Sequence, residues 1–225
     1  MVILGVEPAF AWARMVSLSP ERVMSRVLLA SQSPRRRMLL EEVGFEVDVL
    51  CADVDESIEG VSPREAAMQI ACRKGQAVAP MAAGRGHDFM LAADTMVWTD
   101  AGEIFGKPRD RADARRMLGR LLGATHTVTT GFAIWAPGEA SPAYVGECSS
   151  RVTMQRLSPG ALESYLESDE PWDKAGAYGV QGLAGAFISR IEGSWHTVVG
   201  LPVHAVIESA QSLGLLVRMP WERTQ

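Results

Sequence analysis

Directly after Ser33-Pro34 the sequence runs Arg35, Arg36, Arg37. A Ser-Pro pair reads as a helix start, with serine at the N-cap and proline at the first helical position, where its missing N–H costs nothing. The first turn is the positive end of the helix dipole, so cations are misplaced there unless an anion shares the site. Three other pairs that read as helix starts, Ser19-Pro20, Ser62-Pro63 and Ser158-Pro159, are followed by the acids Glu21, Glu65 and Glu163. The contrast favours an anion, most readily phosphate, held by Arg35 and Arg36 at the N-terminus capped by Ser33, over a merely solvated basic face.

Two more segments carry more charge and glycine than packing requires. In one, the apolar run Phe89 to Ala93 ends in Asp94 and Thr95, and FGKPRD follows with Lys107. An aspartate at the end of a buried strand can bind a divalent cation or take a proton from water, though Asp94 and Thr95 also suit an ordinary turn. In the other, Asp169, Glu170, Asp173 and Lys174 precede Gly176, Gly179, Gly182 and Gly185, with Tyr178 and Gln181 among them. Glycines at intervals of three allow a ligand close to the backbone, and a glutamine amide can read a base edge; a solvated loop would look the same. Taken together, Arg35, Arg36, Lys74, Lys107 and Lys174 could surround a polyphosphate, while Asp94, Asp55 and Asp173 could hold the Mg²⁺ or Mn²⁺ that accompanies it.

The elements that must position these groups alternate. A strand at Val27 to Ala30 feeds the Ser33 helix, which stops near Gly44, and a half-buried strand covers Phe45 to Leu50. A helix from Pro63 to about Ala79 carries Lys74, and the strand Phe89 to Ala93 delivers Asp94 at its carboxyl end. Asp110 caps a helix with the apolar face Ala114, Met117, Leu118, Leu121 and Leu122, closed by Gly123. Strands are expected at Thr127 to Trp135 and Tyr144 to Gln155, and a short helix at Pro159 to Leu166. A hairpin is expected over Ala186 to Val199, turning near Glu192-Gly193, before a final helix from Val203 to Leu213. This order predicts an α/β fold with a mixed central sheet and flanking helices.

The chain has 225 residues and a formal net charge of −5, which argues against general nucleic-acid binding and makes any basic site local. Cys51, Cys72 and Cys148 form no Cys-x-x-Cys, so reduced thiols and a cytoplasmic setting are expected. The four histidines lack zinc-site spacing. No apolar run is long enough for a membrane span. Residues 1–26 read as an amino-terminal extension without signal-peptide features, with Met15 and Met24 as alternative starts; 27–215 read as one domain and 216–225 as a tail.

The blocks LASQSPRRRMLL, AADTMVW, FGKPRD, TVTTGFAIW and EPWDKAGAYGVQGLAGAFISRIEGSWHTVVGLP resemble, in this order, the signature blocks of the Maf family of nucleoside triphosphate pyrophosphatases. The resemblance covers Val27 to Leu213. It implies a fold like that of the inosine triphosphate pyrophosphatases, with two lobes around a cleft. It also implies hydrolysis of a nucleoside triphosphate to the monophosphate and pyrophosphate with a divalent cation, an association with septum formation, and compatibility with a homodimer. The family's catalytic aspartate falls on Asp94, its cleft cations on Arg35, Arg36, Lys74, Lys107 and Lys174, and an acidic cleft position on Asp55. Its specificity positions fall on Arg35, Thr95 and Gln181, as in the branch that takes dTTP and UTP. Hydrolysis of 7-methyl-GTP or another modified nucleotide, and a nucleotide-binding regulator of division with little turnover, are the alternatives.

Overall fold

The computed structural model of the protein describes residues 25–222, and the Ser19-Pro20 helix start lies outside them. In chain order the elements are β1 (Arg26–Leu29), α1 (Pro34–Glu42), β2 (Glu46–Val49), α2 (Pro63–Ala82), β3 (Phe89–Trp98), β4 (Ile104–Phe105) and α3 (Arg111–Leu121). They continue with β5 (Thr125–Trp135), β6 (Tyr144–Met154), α4 (Pro159–Leu166), β7 (Ile188–Glu192), α5 (Trp195–Val199) and α6 (Val203–Ser212). The strands form one sheet in the order β2-β1-β3-β5-β6-β7, with β4 beside the far end of β3. β1 is parallel to β2 and β3, and the remaining pairings are antiparallel, so the sheet is mixed as expected.

Strand alternation divides the core. Leu29, Leu91, Ala93, Phe132 and Ile134 pack with α1 and α6 on one face, while Leu28, Met90, Ala92, Ala133 and Trp135 meet α2 on the other. Further along the strands, Val97 and Val128 join α3, α4 and the glycine-rich segment in a second apolar cluster. A cleft of about 1210 Å³ opens between these two bodies, lined by residues of both.

Two expectations need correcting. β3 runs on to Trp98, so Asp94 lies within the strand and not at its end, because antiparallel pairing with β5 holds Met90 through Trp98. The parallel partner β1 pairs only as far as Leu29 opposite Leu91, which leaves Asp94 free on that side and opens it to the cleft. The hairpin over Ala186 to Val199 is half right: β7 ends at Glu192, and the chain then enters α5. The Ser194 hydroxyl accepts the Thr197 N–H and Gly200 ends the helix at φ +129°, so a capping serine wins over the apolar alternation of the segment.

The α2 helix lies unusually close to the sheet, at two glycines. A Cβ on Gly75 would sit 1.9 Å from the Trp135 ring, and one on Gly131 would sit 2.4 Å from the Ala67 carbonyl carbon. Gly131 is the cross-strand partner of Asp94. Gly131→Ala, which sets a methyl against backbone that cannot give way, is therefore expected to destabilise the protein by about 1–3 kcal/mol, read as a lower urea midpoint.

Candidate active site

The three arginines of α1 point three ways, as successive residues on a helix must. Arg35 crosses the cleft mouth to Asp173, with Nη1 2.8 Å from Oδ2. Arg36 is buried: Nε donates to the Gly200 carbonyl at 2.8 Å, Nη1 to Ser31 Oγ at 2.8 Å and Nη2 to Thr95 Oγ1 at 3.0 Å. Burial lowers its affinity for a proton, and the nearby charge of Asp94 works the other way. Arg37 is a surface residue paired with Glu41 one turn on. At the other two described Ser-Pro starts the serine hydroxyl caps its helix, Ser62 on Glu65 N–H and Ser158 on Ala161 N–H. Ser33 makes no such bond, although it stands at the N-cap of α1 and lines the cleft.

Asp94 and Thr95 are neighbours on β3 and so face opposite sides of the sheet. Asp94 meets α2, where Lys74 Nζ lies 2.6 Å from Oδ1; the same ammonium lies 2.7 Å from Glu56 Oε1. Thr95 faces Arg36, and its hydroxyl lies 2.9 Å from Thr130 Oγ1, which in turn donates to the Thr197 carbonyl at 2.8 Å. Asp55 turns away from Lys74, because its carboxylate accepts the N–H and hydroxyl of Ser57 at 2.8 and 2.7 Å. These bonds from Ser57 lower its pKa. The acid that reaches Lys74 is thus Glu56, one residue on.

Asp173 stands between two cations, Arg35 and Lys174. Partial burial would raise its pKa, but hydrogen bonds from Lys174 and Arg35 outweigh this and hold it down at about 2. Lys174 Nζ also donates to the Glu170 carbonyl at 2.8 Å. Lys107 lines the cleft and is exposed, with no hydrogen bond or ion pair to another described residue. Gln181 is exposed on the same rim, its amide Nε2 3.9 Å from Met38 Sδ.

Five cations, a carboxylate pair on one of them and an amide on the rim thus share one cleft. The profile of the Maf-like protein family matches residues 26–213 of the chain. The protein belongs to the Maf family. Among its relatives, a Citrifermentans bemidjiense protein named dTTP/UTP pyrophosphatase is 42% identical over 193 residues, 85% of this chain and 97% of the relative. Proteins of the same name from Symbiobacterium thermophilum (42% over 192 residues, 85% and 95% of the two chains) and Anaeromyxobacter dehalogenans (41% over 204 residues, 88% and 98%) are similar as well. Among solved structures, the Staphylococcus aureus Ham1 protein aligns with a TM-score of 0.40 at 15% identity, over 58% of this chain and 72% of that one.

The Maf cleft brings together Ser33, Arg35, Arg36, Lys74, Asp94, Thr95, Lys107, Asp173, Lys174 and Gln181, all of which line it; Asp55 does not. Sequence reasoning missed Glu56, whose only signal was its place beside Asp55, and the Ser31 hydroxyl and Gly200 carbonyl that hold Arg36. It also missed what anchors the glycine-rich wall. There Tyr178, buried and next to Gly179, shares a 2.7 Å hydrogen bond with Nε2 of His126, which is wholly buried on β5.

Burial holds the His126 imidazole down at about 4, against an ordinary 6.5. The unfolded chain takes up a proton below that ordinary value, while the folded chain refuses it until about pH 4. Stability is therefore complete above the ordinary value and falls as pH drops through this window, by up to about 3 kcal/mol. Urea midpoints measured at descending pH are expected to show this fall, and His126→Gln, which cannot titrate, to flatten it.

Proposed function

We propose that the protein hydrolyses nucleoside triphosphates, dTTP and UTP foremost, to the nucleoside monophosphate and pyrophosphate. The observation that carries this reading is Lys74 Nζ held between Asp94 and Glu56 in a cleft that also offers Arg35, Lys107 and Lys174. Relatives sharing 41–42% of their residues along nearly their whole length carry the name dTTP/UTP pyrophosphatase, which supports the same substrate here. The free cysteines agree with a cytoplasmic enzyme, and no described helix is long and apolar enough to cross a membrane.

A divalent cation suits the donor set. Asp94 and Glu56 are hard oxygen donors already drawn to one ammonium, and no group of three or more acidic, histidine or cysteine side chains forms a closed metal cage among the described residues. That is the pattern of an ion held by one or two carboxylates together with substrate phosphates and water, as Mg²⁺ or Mn²⁺ would be. When bound, such an ion offsets phosphate charge and makes a nearby water more acidic. Asp173, engaged by Arg35 and Lys174, and Asp55, engaged by Ser57, are less available for it.

The chain's own groups divide the remaining work. Lys107, Lys174 and Arg35 bind the phosphates, and Arg35 and Lys174 exchange Asp173 for the substrate as it enters. The uncapped start of α1 offers backbone N–H groups to the same anion. Asp94 accepts a proton from the water that attacks the α-phosphorus. The bond from that phosphorus to the α–β bridging oxygen breaks, and pyrophosphate leaves with its charge balanced by Lys74 and its neighbours. A carboxylate is a weak general base, so the contribution of Asp94 rests on its placement. Gln181 faces the polar edge of the base.

Pyrophosphate release from dTTP, UTP, CTP, GTP, ITP and 7-methyl-GTP tests the reading. Wild type is expected to turn over dTTP and UTP best, and Asp94→Asn to lose about a hundredfold or more of that turnover with its urea midpoint little changed. Binding without release from any nucleotide would instead identify a regulator, and release from 7-methyl-GTP alone would overturn the base assignment. Gln181→Glu replaces the amide donor by an acceptor that thymine and uracil O4 repel; kcat/KM for dTTP and UTP is expected to fall about tenfold.

A further inference from the structure

Glu170 and Asp173 stand at the two ends of one 3₁₀ turn, Glu170–Asp173, and their carboxylates do different work. Glu170 Oε1 accepts the N–H groups of Gly179 at 3.3 Å and Ala184 at 3.0 Å and the Tyr165 hydroxyl at 3.1 Å, while Oε2 accepts the Leu183 N–H at 2.5 Å. That carboxylate holds the loop together, and a Cβ on Gly182 would lie 2.1 Å from it. The Asp173 carboxylate accepts from no backbone N–H among the described residues. Its Oδ2 meets Arg35 Nη1 at 2.8 Å and its Oδ1 meets Lys174 Nζ, and both partners line the cleft.

The two cations differ in what else holds them. Lys174 Nζ also donates to the Glu170 carbonyl at 2.8 Å, so its ammonium keeps a partner when the carboxylate leaves. Arg35 has Asp173 as its one ion-pair partner among the described residues. The Asp173 side chain is 57% exposed, against 13% for Asp94 in its pair with Lys74. Water therefore weakens the hold of Asp173 on both cations. A screened carboxylate without backbone contacts adds little to the fold. What it does is occupy two cations that would otherwise face the cleft unmatched.

We propose that Asp173 is a resident anion that occupies Arg35 and Lys174 between turnovers and, by competing for them, weakens the hold of the cleft on pyrophosphate and speeds its release. The inference deepens the reading of the cleft as a nucleoside triphosphate site and rests on it. Pyrophosphate is made of the β- and γ-phosphates by which a triphosphate tail is held, so each cation that binds the tail also retains the product. Binding that substrate and transition state share lowers KM without raising kcat, and a product that leaves slowly limits turnover. Any phosphate that reaches Arg35 and Lys174 must displace Asp173. The displaced carboxylate is tethered one residue from Lys174, so it competes at a high effective concentration for its old place.

The experiment measures the dissociation constant of inorganic pyrophosphate by calorimetry in wild type, Asp173→Asn, Asp173→Glu and Asp169→Asn, with EDTA present so that only the charges of the chain are read. Asp173→Asn keeps the shape and removes the competing charge. It is expected to bind pyrophosphate about fivefold more tightly, and pyrophosphate to inhibit its dTTP turnover at a correspondingly lower concentration, with KM for dTTP falling and kcat not rising. Asp173→Glu keeps the charge and is expected to stay within about twofold of wild type. Asp169 is exposed, lines the same cleft and has no ion pair among the described residues, so Asp169→Asn reads the effect of rim charge alone. Unchanged or weaker pyrophosphate binding in Asp173→Asn overturns the inference, and so does an equal gain in Asp169→Asn. Wild type that releases pyrophosphate from no nucleotide would overturn the pyrophosphatase reading and the role in product release with it, while the calorimetry by itself decides whether Asp173 competes for the two cations.

Discussion

At Gly131 the backbone of α2 comes so near the sheet that a single methyl group would lie 2.4 Å from the Ala67 carbonyl carbon. The helix can lie there only because β5 presents no side chain, and Gly75, about two turns further along α2, makes a second close approach, against Trp135. The residue before Gly75 is Lys74, and the residue across from Gly131 is Asp94. Two absent side chains thus determine how far a lysine must reach to meet an aspartate. A helix standing off by the usual depth of a side chain would leave the ammonium and the carboxylate to bind water separately. With the close approach they meet at 2.6 Å, both largely shielded from solvent.

The cleft resolves a problem of charge. Several cations facing one another would repel in the absence of substrate, and in this fold most of them are matched internally. Lys74 has Asp94 and Glu56, and Arg35 and Lys174 share Asp173. Lys107 alone of the cleft lysines meets no partner among the described residues. The internal partners are of two kinds. Asp94 is mostly buried, so its pairing with Lys74 is a fixed part of the fold. Asp173 is more than half exposed, so water screens its pairs and each contributes little to holding the fold together.

Much of this was legible in the sequence. The contrast among Ser-Pro pairs singled out α1 but holds only in part: α2 has Glu65 in its first turn, whereas α4 has no acid in its own, and what sets α1 apart from both is that Ser62 and Ser158 cap their helices while Ser33 does not. The apolar periodicity of Ala114, Met117, Leu118 and Leu121 identified α3 correctly, because a face buried at helical spacing leaves a direct trace. What was not legible depends on which way a side chain turns after the chain has folded. Asp55 and Glu56 are adjacent acids, and only the local turn at Ser57, which captures Asp55, decides which of them reaches Lys74. The extent of β3 was underread for a similar reason: its second half is held by pairing with β5, a long-range fact that no local pattern in Thr95 to Trp98 announces.

Arg36 shows how a residue can be tied into the fold and still line the cleft. Thr130 donates its single hydroxyl hydrogen to the Thr197 carbonyl, so toward Thr95 it must accept; Thr95 therefore donates to Thr130 and accepts from Arg36. The chain has one consistent direction, from the guanidinium through two threonines to a backbone carbonyl. It fixes the Thr95 side chain on the face of β3 opposite Asp94, and it holds the α5–α6 junction at Gly200 against α1 through the Arg36 Nε bond. A guanidinium has five N–H donors, and three of them are committed to Gly200, Ser31 and Thr95. Two are left, on a cation whose burial keeps water from screening it and whose position at the first turn of α1 faces the cleft. Of the three arginines that follow Ser33-Pro34, Arg36 is the one whose place is set by the whole fold, so its charge is fixed in position at the cleft wall.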